Sequence, residues 1–224
     1  MKYRLAIFDL DGTLASSLDS IAECMAAAIS AFGFSPPSRE EVRATVGLTA
    51  EESVAILTKG KVSRTTLPQI VRFYRDLHET DGNASIRLFP GTAKLLEELP
   101  SVGTKGVLVS NKGRKALAEL LERLKIWAFF DLTLSADDVD CTKPDPKLFT
   151  KHIAPHFPDI GKRETIVIGD TETDIHFARA AGLVSCWAKY GYGDAVRCHK
   201  LKPDFEVGEI AALRAVLRGT GTRE

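Results

Sequence analysis

Residues 8–17 read FDLDGTLASS, and this stretch closes the first apolar run of the chain with two aspartates, Asp9 and Asp11, one residue apart. Aspartate is a poor strand residue, and an unpaired carboxylate is costly to take out of water. A buried strand that ends this way needs a compensating charge brought to the same place from elsewhere in the chain.

Short apolar runs like 3–8 recur at 106–109, 132–134, 165–168 and 183–187. Helical patterns lie between several of them, for example residues 114–125 with Leu117, Leu120, Leu121 and Leu124 on one face. Alternating strands and helices predict an α/β fold, a Rossmann-like parallel sheet with helices on both faces. Residues 16–87 break the alternation, with helix signals and no convincing strand. Leu18, Ile21, Met25, Ile29 and Phe32 recur at helical spacing as a core stripe before Gly33, Pro36 and Pro37. Ser38 with Glu41 and Thr49 with Glu52 match capping boxes, with helix ends expected at Gly47 and Gly60. A further helix is expected from near Thr66 to Asp81 and Gly82, burying Leu67, Ile70, Val71, Tyr74 and Leu77. The predicted organisation is a catalytic core of residues 1–15 and 88–224 with a small all-helical cap, 16–87, inserted after the first strand. The tail GTGTRE is expected to fray.

Composition narrows the function. Thirty Lys plus Arg balance thirty Asp plus Glu, so no global field argues for nucleic acid, and a small anionic substrate needs only a local basic site. The run before Asp9 is too short for a signal-peptide core, no apolar run reaches the length of a membrane span, and Cys24, Cys141, Cys186 and Cys198 are scattered without metal-binding spacing. A cytoplasmic enzyme with reduced thiols is expected, as a monomer or homodimer with no membrane or nucleic-acid partner. The five histidines are expected at the surface, and Tyr190 and Tyr192 in a loop with core-packing aromatics.

In an open α/β sheet, ligands bind beyond the carboxyl ends of the strands. The predicted strands end in Asp9 and Asp11 with Gly12 and Thr13, in Ser110 and Asn111, in a loop carrying Lys143, and in Asp170 and Asp174. Crowded carboxylates repel one another, and a hard divalent cation with oxygen ligands offsets this; magnesium, which takes one or two carboxylates plus phosphate oxygens, suits the set. Asp9 and Asp11, alternate residues on an extended segment, can divide the labour of nucleophile and proton carrier.

DLDGT at 9–13, VSN at 109–111, KPDP at 143–146 and GDTETD at 169–174 resemble, in order, the four motifs of the haloacid dehalogenase superfamily. Within it the chain is similar to the phosphoglycolate phosphatase group, through LFPG ahead of the second strand and YGYG after the fifth. The resemblance implies a magnesium-dependent phosphatase acting on a small phosphorylated metabolite, 2-phosphoglycolate in the first place, through an aspartyl-phosphate. It assigns Asp9 as nucleophile and Asp11 as acid and base, with Mg2+ on Asp9, the Asp11 carbonyl, Asp170 and Asp174. Lys143, Ser110, and backbone amides near Asn111 and Gly12 would hold the phosphate, with Thr13 beside them.

The cap would act as a lid hinged near 15–18 and 85–89, with substrate choice around Arg43, Thr45 and Thr49; Arg43 would meet a substrate carboxylate, unless it is only part of a solvated helix face. The alternatives are a sugar-phosphate mutase (beta-phosphoglucomutase-like), a pyrophosphatase or nucleotidase, and an inactive metabolite-binding module. Dehalogenase and phosphonatase readings are disfavoured, because relatives with those chemistries lack the second aspartate.

Overall fold

The run before Asp9 forms β1 (Leu5–Phe8), all four residues of which are buried. In the computed structural model, which describes residues 2–80 and 82–221, there follow β2 (Ala15–Ser16), α1 (Leu18–Ala31), α2 (Arg39–Arg43), α3 (Ala50–Leu57), α4 (Leu67–Thr80) and β3 (Arg87–Leu88). The chain then alternates through α5 (Thr92–Glu98), β4 (Lys105–Val109), α6 (Arg114–Arg123), β5 (Leu132–Leu134), β6 (Thr165–Gly169), α7 (Glu172–Ala181), β7 (Val184–Ala188), α8 (Ala195–Lys200), β8 (Phe205–Val207) and α9 (Ile210–Leu217).

Six strands make one parallel sheet in the order β5-β4-β1-β6-β7-β8. Side chains alternate between its faces with period two. Ala6, Phe8, Leu108, Ile166 and Ile168 pack with α5, α6 and α9, while Leu5, Ile7, Val107, Val109 and Val167 pack with α7 and with a π-helical turn at Leu148–Ile153. The α/β reading therefore holds, with helices on both faces. The sixth strand, Phe205–Val207, was not anticipated: Glu206 breaks its short apolar run, and pairing with Cys186 to Ala188 makes it a strand.

Between β2 and β3 the described residues form helices only, around their own cluster of Ile21, Met25, Ile29, Val42, Val54, Ile70 and Val71. Burying each large aliphatic side chain here contributes about 1.5–3 kcal/mol. Both capping boxes are present, Ser38 with Glu41 and Thr49 with Glu52, although α2 stops at Arg43, ahead of Gly47. The two crossings into the insertion are not plain loops. Ala15 and Ser16 pair antiparallel with Leu88 and Arg87, a ribbon too short to leave a pattern in sequence. The helix stop expected at Asp81 and the end of the tail, residues 222–224, lie outside the described residues. No helix among the described residues is long and apolar enough to cross a membrane.

Candidate active site

Register brings the polar residues together. Phe8 lies level with Leu108 on one side and Ile168 on the other, so the residues that follow, Asp9, Val109 with Ser110, and Gly169 with Asp170, emerge at one height on the carboxyl edge. The strand order runs outward in both directions from β1 at this point, the usual location of a binding crevice in such sheets.

Asp9 continues the ladder, its N–H donating to the Ile168 carbonyl at 2.9 Å, and then the chain turns tightly. The N–H groups of Leu14 and Ala15 both donate to the Leu10 carbonyl, and Gly12 N–H donates to Ala15 O at 2.9 Å. Gly12 has φ +95°, and a Cβ there would run into the Asp170 carboxylate, so only glycine suits the position. Its amide is already engaged, and its contribution is the close approach of backbone to Asp170. Thr13 Oγ1 donates to Asp170 Oδ1 at 2.9 Å, and Tyr192 N–H donates to Oδ2 at 2.7 Å. Thr13 therefore holds Asp170 in place.

Lys143 joins the remaining carboxylates, its buried ammonium 2.6 Å from Asp9 Oδ1 and 2.7 Å from Asp174 Oδ1. Asp174 also accepts from the Thr171 N–H at 3.1 Å and the Thr171 hydroxyl at 2.9 Å, capping α7 while it anchors the lysine. The ligand atoms of Asp9, Asp170 and Asp174 lie within 4.8 Å of one another. Burial pushes the Asp9 carboxyl up to about 7 despite the pull of Lys143 in the other direction. Burial, then Asp9 and Asp174, raise Asp170 well above the ordinary carboxylate range. For Lys143 burial works against the charge, but Asp174 and Asp9 outweigh it and hold the ammonium protonated. Asp11 stands apart: its Oδ2 is 3.7 Å from Lys112 Nζ, and its buried Oδ1 has no hydrogen-bond partner.

Asp9, Asp11, Ser110 and Asn111 line a cavity of about 70 Å3 between the sheet edge and the helical insertion, which adds Ile21, Met25, Tyr74 and others to the wall. Ser110 Oγ accepts from Lys112 N–H, and Asn111 Nδ2 donates across the cleft to Gly47 O at 2.9 Å. Of the insertion residues singled out from sequence, Thr45 lines the cavity with its hydroxyl turned to Val42 O, and Thr49 caps α3. Arg43 is not in the cavity wall; its Nε donates to Tyr192 O at 3.1 Å and its guanidinium meets Glu40. Tyr190 packs edge-on against Phe89 and donates its hydroxyl to Thr13 O, while the Tyr192 hydroxyl accepts from Ser17 and Leu18 N–H at the start of α1. The loop after β7 thus braces both the turn after Asp9 and the entry to the insertion.

Two cavity residues were missed from sequence. Lys112 sits beside VSN with its side chain 7% exposed; its place next to Asn111 was the available signal. His78, expected at the surface with the other histidines, is 2% exposed. It falls four residues after Tyr74 on the buried stripe of α4, and the two rings pack edge to face at 4.8 Å; that spacing could have placed it inside.

Comparison with known proteins agrees with this geometry. The sequence model of the family described as haloacid dehalogenase-like hydrolase matches residues 6–188. A phosphoglycolate phosphatase of Vibrio parahaemolyticus is 30% identical over 220 residues, covering 96% of each chain. One from Photorhabdus laumondii is 31% identical over 197 residues, covering 84% of this chain and 81% of the relative. A solved haloacid dehalogenase-like hydrolase from Streptococcus pneumoniae superposes with TM-score 0.83 at 24% identity, over 96% of this chain and 98% of its own, which establishes the shared fold.

Proposed function

Because the chain belongs to the haloacid dehalogenase-like hydrolase family, we propose that it is a magnesium-dependent phosphatase that hydrolyses a small phosphomonoester, 2-phosphoglycolate first among the candidates, through an aspartyl-phosphate on Asp9. One observation carries the reading: the two aspartates of one turn have separate environments. Asp9 is clamped by Lys143 among buried carboxylates, while Asp11, in the cavity wall, meets only Lys112 at 3.7 Å through Oδ2 and has a buried Oδ1 with no partner. Paired carboxylates in different surroundings are suited to different roles.

The residues fit a magnesium ion. Asp9, Asp11, Asp170 and Asp174 face two ammonium groups, Lys143 and Lys112, leaving a deficit of two positive charges, and the donors are hard oxygens. Asp9, the Asp11 backbone carbonyl and Asp170 would hold the ion, with Asp174 beside them. Bound there, it would neutralise charge on the phosphoryl oxygens.

The chain's own residues perform the remainder. An Asp9 carboxylate oxygen attacks phosphorus, the bond to the ester oxygen breaks, and Asp11 gives that oxygen its proton. Asp11 then removes a proton from water, whose oxygen attacks the aspartyl-phosphate, releasing inorganic phosphate and restoring Asp9. Lys143 has three N–H groups and spends two on Asp9 and Asp174, so the third is available to a phosphate oxygen, with the Ser110 hydroxyl opposite. The helical insertion covers the cavity and excludes bulk water during attack.

The test is phosphate release from 2-phosphoglycolate and a panel of sugar phosphates, nucleotides and pyrophosphate, with magnesium and with excess chelator. Magnesium-dependent release that disappears in Asp9→Asn is expected; no release from any compound overturns the reading.

A further inference from the structure

The catalytic cavity contains two polar groups that the phosphoryl chemistry leaves idle. Lys112 reaches in from the sheet edge, its side chain 93% buried, and its one ion pair is a long 3.7 Å contact with Asp11 Oδ2. An ammonium so placed has donors to spare and little water to satisfy them. His78 belongs to the cavity wall on α4, and neither of its buried ring nitrogens has a hydrogen-bond partner. Burial and then the Lys112 charge push its imidazolium down to about 2, so the ring is neutral and offers one N–H and one lone pair. Each unmade buried hydrogen bond costs about 1–3 kcal/mol, a cost that a ligand can remove.

The other cations around the cavity are committed. Lys143 holds Asp9 and Asp174, Arg75 holds Glu51 at 3.5 Å and Asp137 at 3.2 Å, and Arg43 holds Tyr192 O and Glu40. Lys112 and His78 remain, both in the wall of one cavity, with the lysine's charge acting on the ring.

We propose that Lys112 and His78 form the subsite for a carboxylate on the leaving group, and that they select esters whose carboxylate lies two bonds from the ester oxygen. This rests on the phosphatase reading, in which Asp11 meets that oxygen. A carboxylate carbon two bonds away lies about 2.5 Å from the ester oxygen. Lys112, beside Asp11, spans that offset without leaving its place, and the His78 N–H meets the carboxylate from the side of the insertion. The apolar Ile21 and Met25 in the same wall leave little else to recognise a charged group.

The experiment compares 2-phosphoglycolate with ethyl phosphate, the same skeleton without the carboxylate, as kcat/KM for wild type, Lys112→Met, Lys112→Arg and His78→Phe. The preference for 2-phosphoglycolate is expected to fall about 100-fold in Lys112→Met and about 10-fold in His78→Phe, chiefly through KM, with partial recovery in Lys112→Arg. Equal losses on both substrates would overturn the proposal and make Lys112 only a counter-ion of Asp11. If wild type releases phosphate from neither compound nor from any other of the panel above, the phosphatase reading fails independently. Calorimetric Kd values for the same two compounds in Asp9→Asn, with and without Lys112→Met, then decide the subsite: a carboxylate preference lost with Lys112 supports it, and equal affinities overturn it. Circular dichroism melts identify any variant that has failed to fold.

Discussion

The two walls of the cavity differ in how their polar groups are satisfied. On the sheet edge, Lys143, Asp170 and Asp174 each have at least two hydrogen-bond partners within the chain, and even the Gly12 amide is used. On the insertion, α4 presents a histidine with none. The edge presents the groups of a reaction that is the same for every phosphate ester, and there only Asp11 Oδ1 and the Lys112 ammonium are left short of partners. The insertion faces the part of the substrate that varies, and a group left unsatisfied there favours the ligand that satisfies it.

The contrast is most severely tested at Asp9. Asp9→Asn keeps the shape of the turn and removes the nucleophile, and kcat is expected to fall by about 10⁴-fold or more, read as phosphate release. A loss below tenfold would mean that the edge does not act through Asp9. Asp170→Asn is the next largest perturbation: removing a buried carboxylate that we propose holds the metal, itself held by Thr13 and Tyr192, should raise the magnesium concentration needed for half-maximal activity about 10- to 100-fold. Magnesium titration checks this, and an unchanged requirement would place the cation elsewhere.

The insertion side has a signature in stability that the edge lacks. His78 is pushed down to about 2 in the folded chain, whereas an unfolded histidine titrates near 6.5. Below about pH 6.5 the unfolded chain gains a proton that the folded chain refuses, so stability falls as pH drops through that range, by at most about 1.4 kcal/mol per pH unit. His78→Phe, which keeps a ring against Tyr74, should remove this component. The check is the difference between wild type and variant in urea-unfolding free energy from pH 7 to 5. Asp9 and Asp170, raised in the fold, act with the opposite sign and cancel in that difference. The smallest effect is expected from Arg43→Ala. It loses a bond between insertion and core without touching the cavity, so KM should rise about two- to fivefold for all substrates with their order unchanged. A changed order would restore Arg43 as a reader of substrate.

Legibility followed the range of the interactions involved. The strands that end in the catalytic motifs could be read because each is a buried run broken by a polar residue, and both capping boxes because their partners are three residues apart. Strand β8, interrupted by Glu206, and the two-residue β2–β3 ribbon could not, since they exist through pairing with distant segments. For Arg43 the sequence left open a substrate contact or a solvated helix face, and the fold brings Tyr192, 149 residues away, to its side chain. Lys112 and His78 lacked the flanking pattern that made Lys143 recognisable.

The local order of residues was therefore enough to establish the alternation of strands and helices, the point where a helical segment interrupts it, and the four motifs whose strands share a carboxyl edge. Those features depend on periodicity and on chain direction, which are properties of neighbouring residues. Only the tertiary structure decided which oxygen of Asp11 is bare, that Thr13 holds Asp170, and that Lys112 and His78 line one cavity. These depend on the packing of the insertion against the sheet edge, where burial and the distance between residues far apart in the chain set each group's partners and charge.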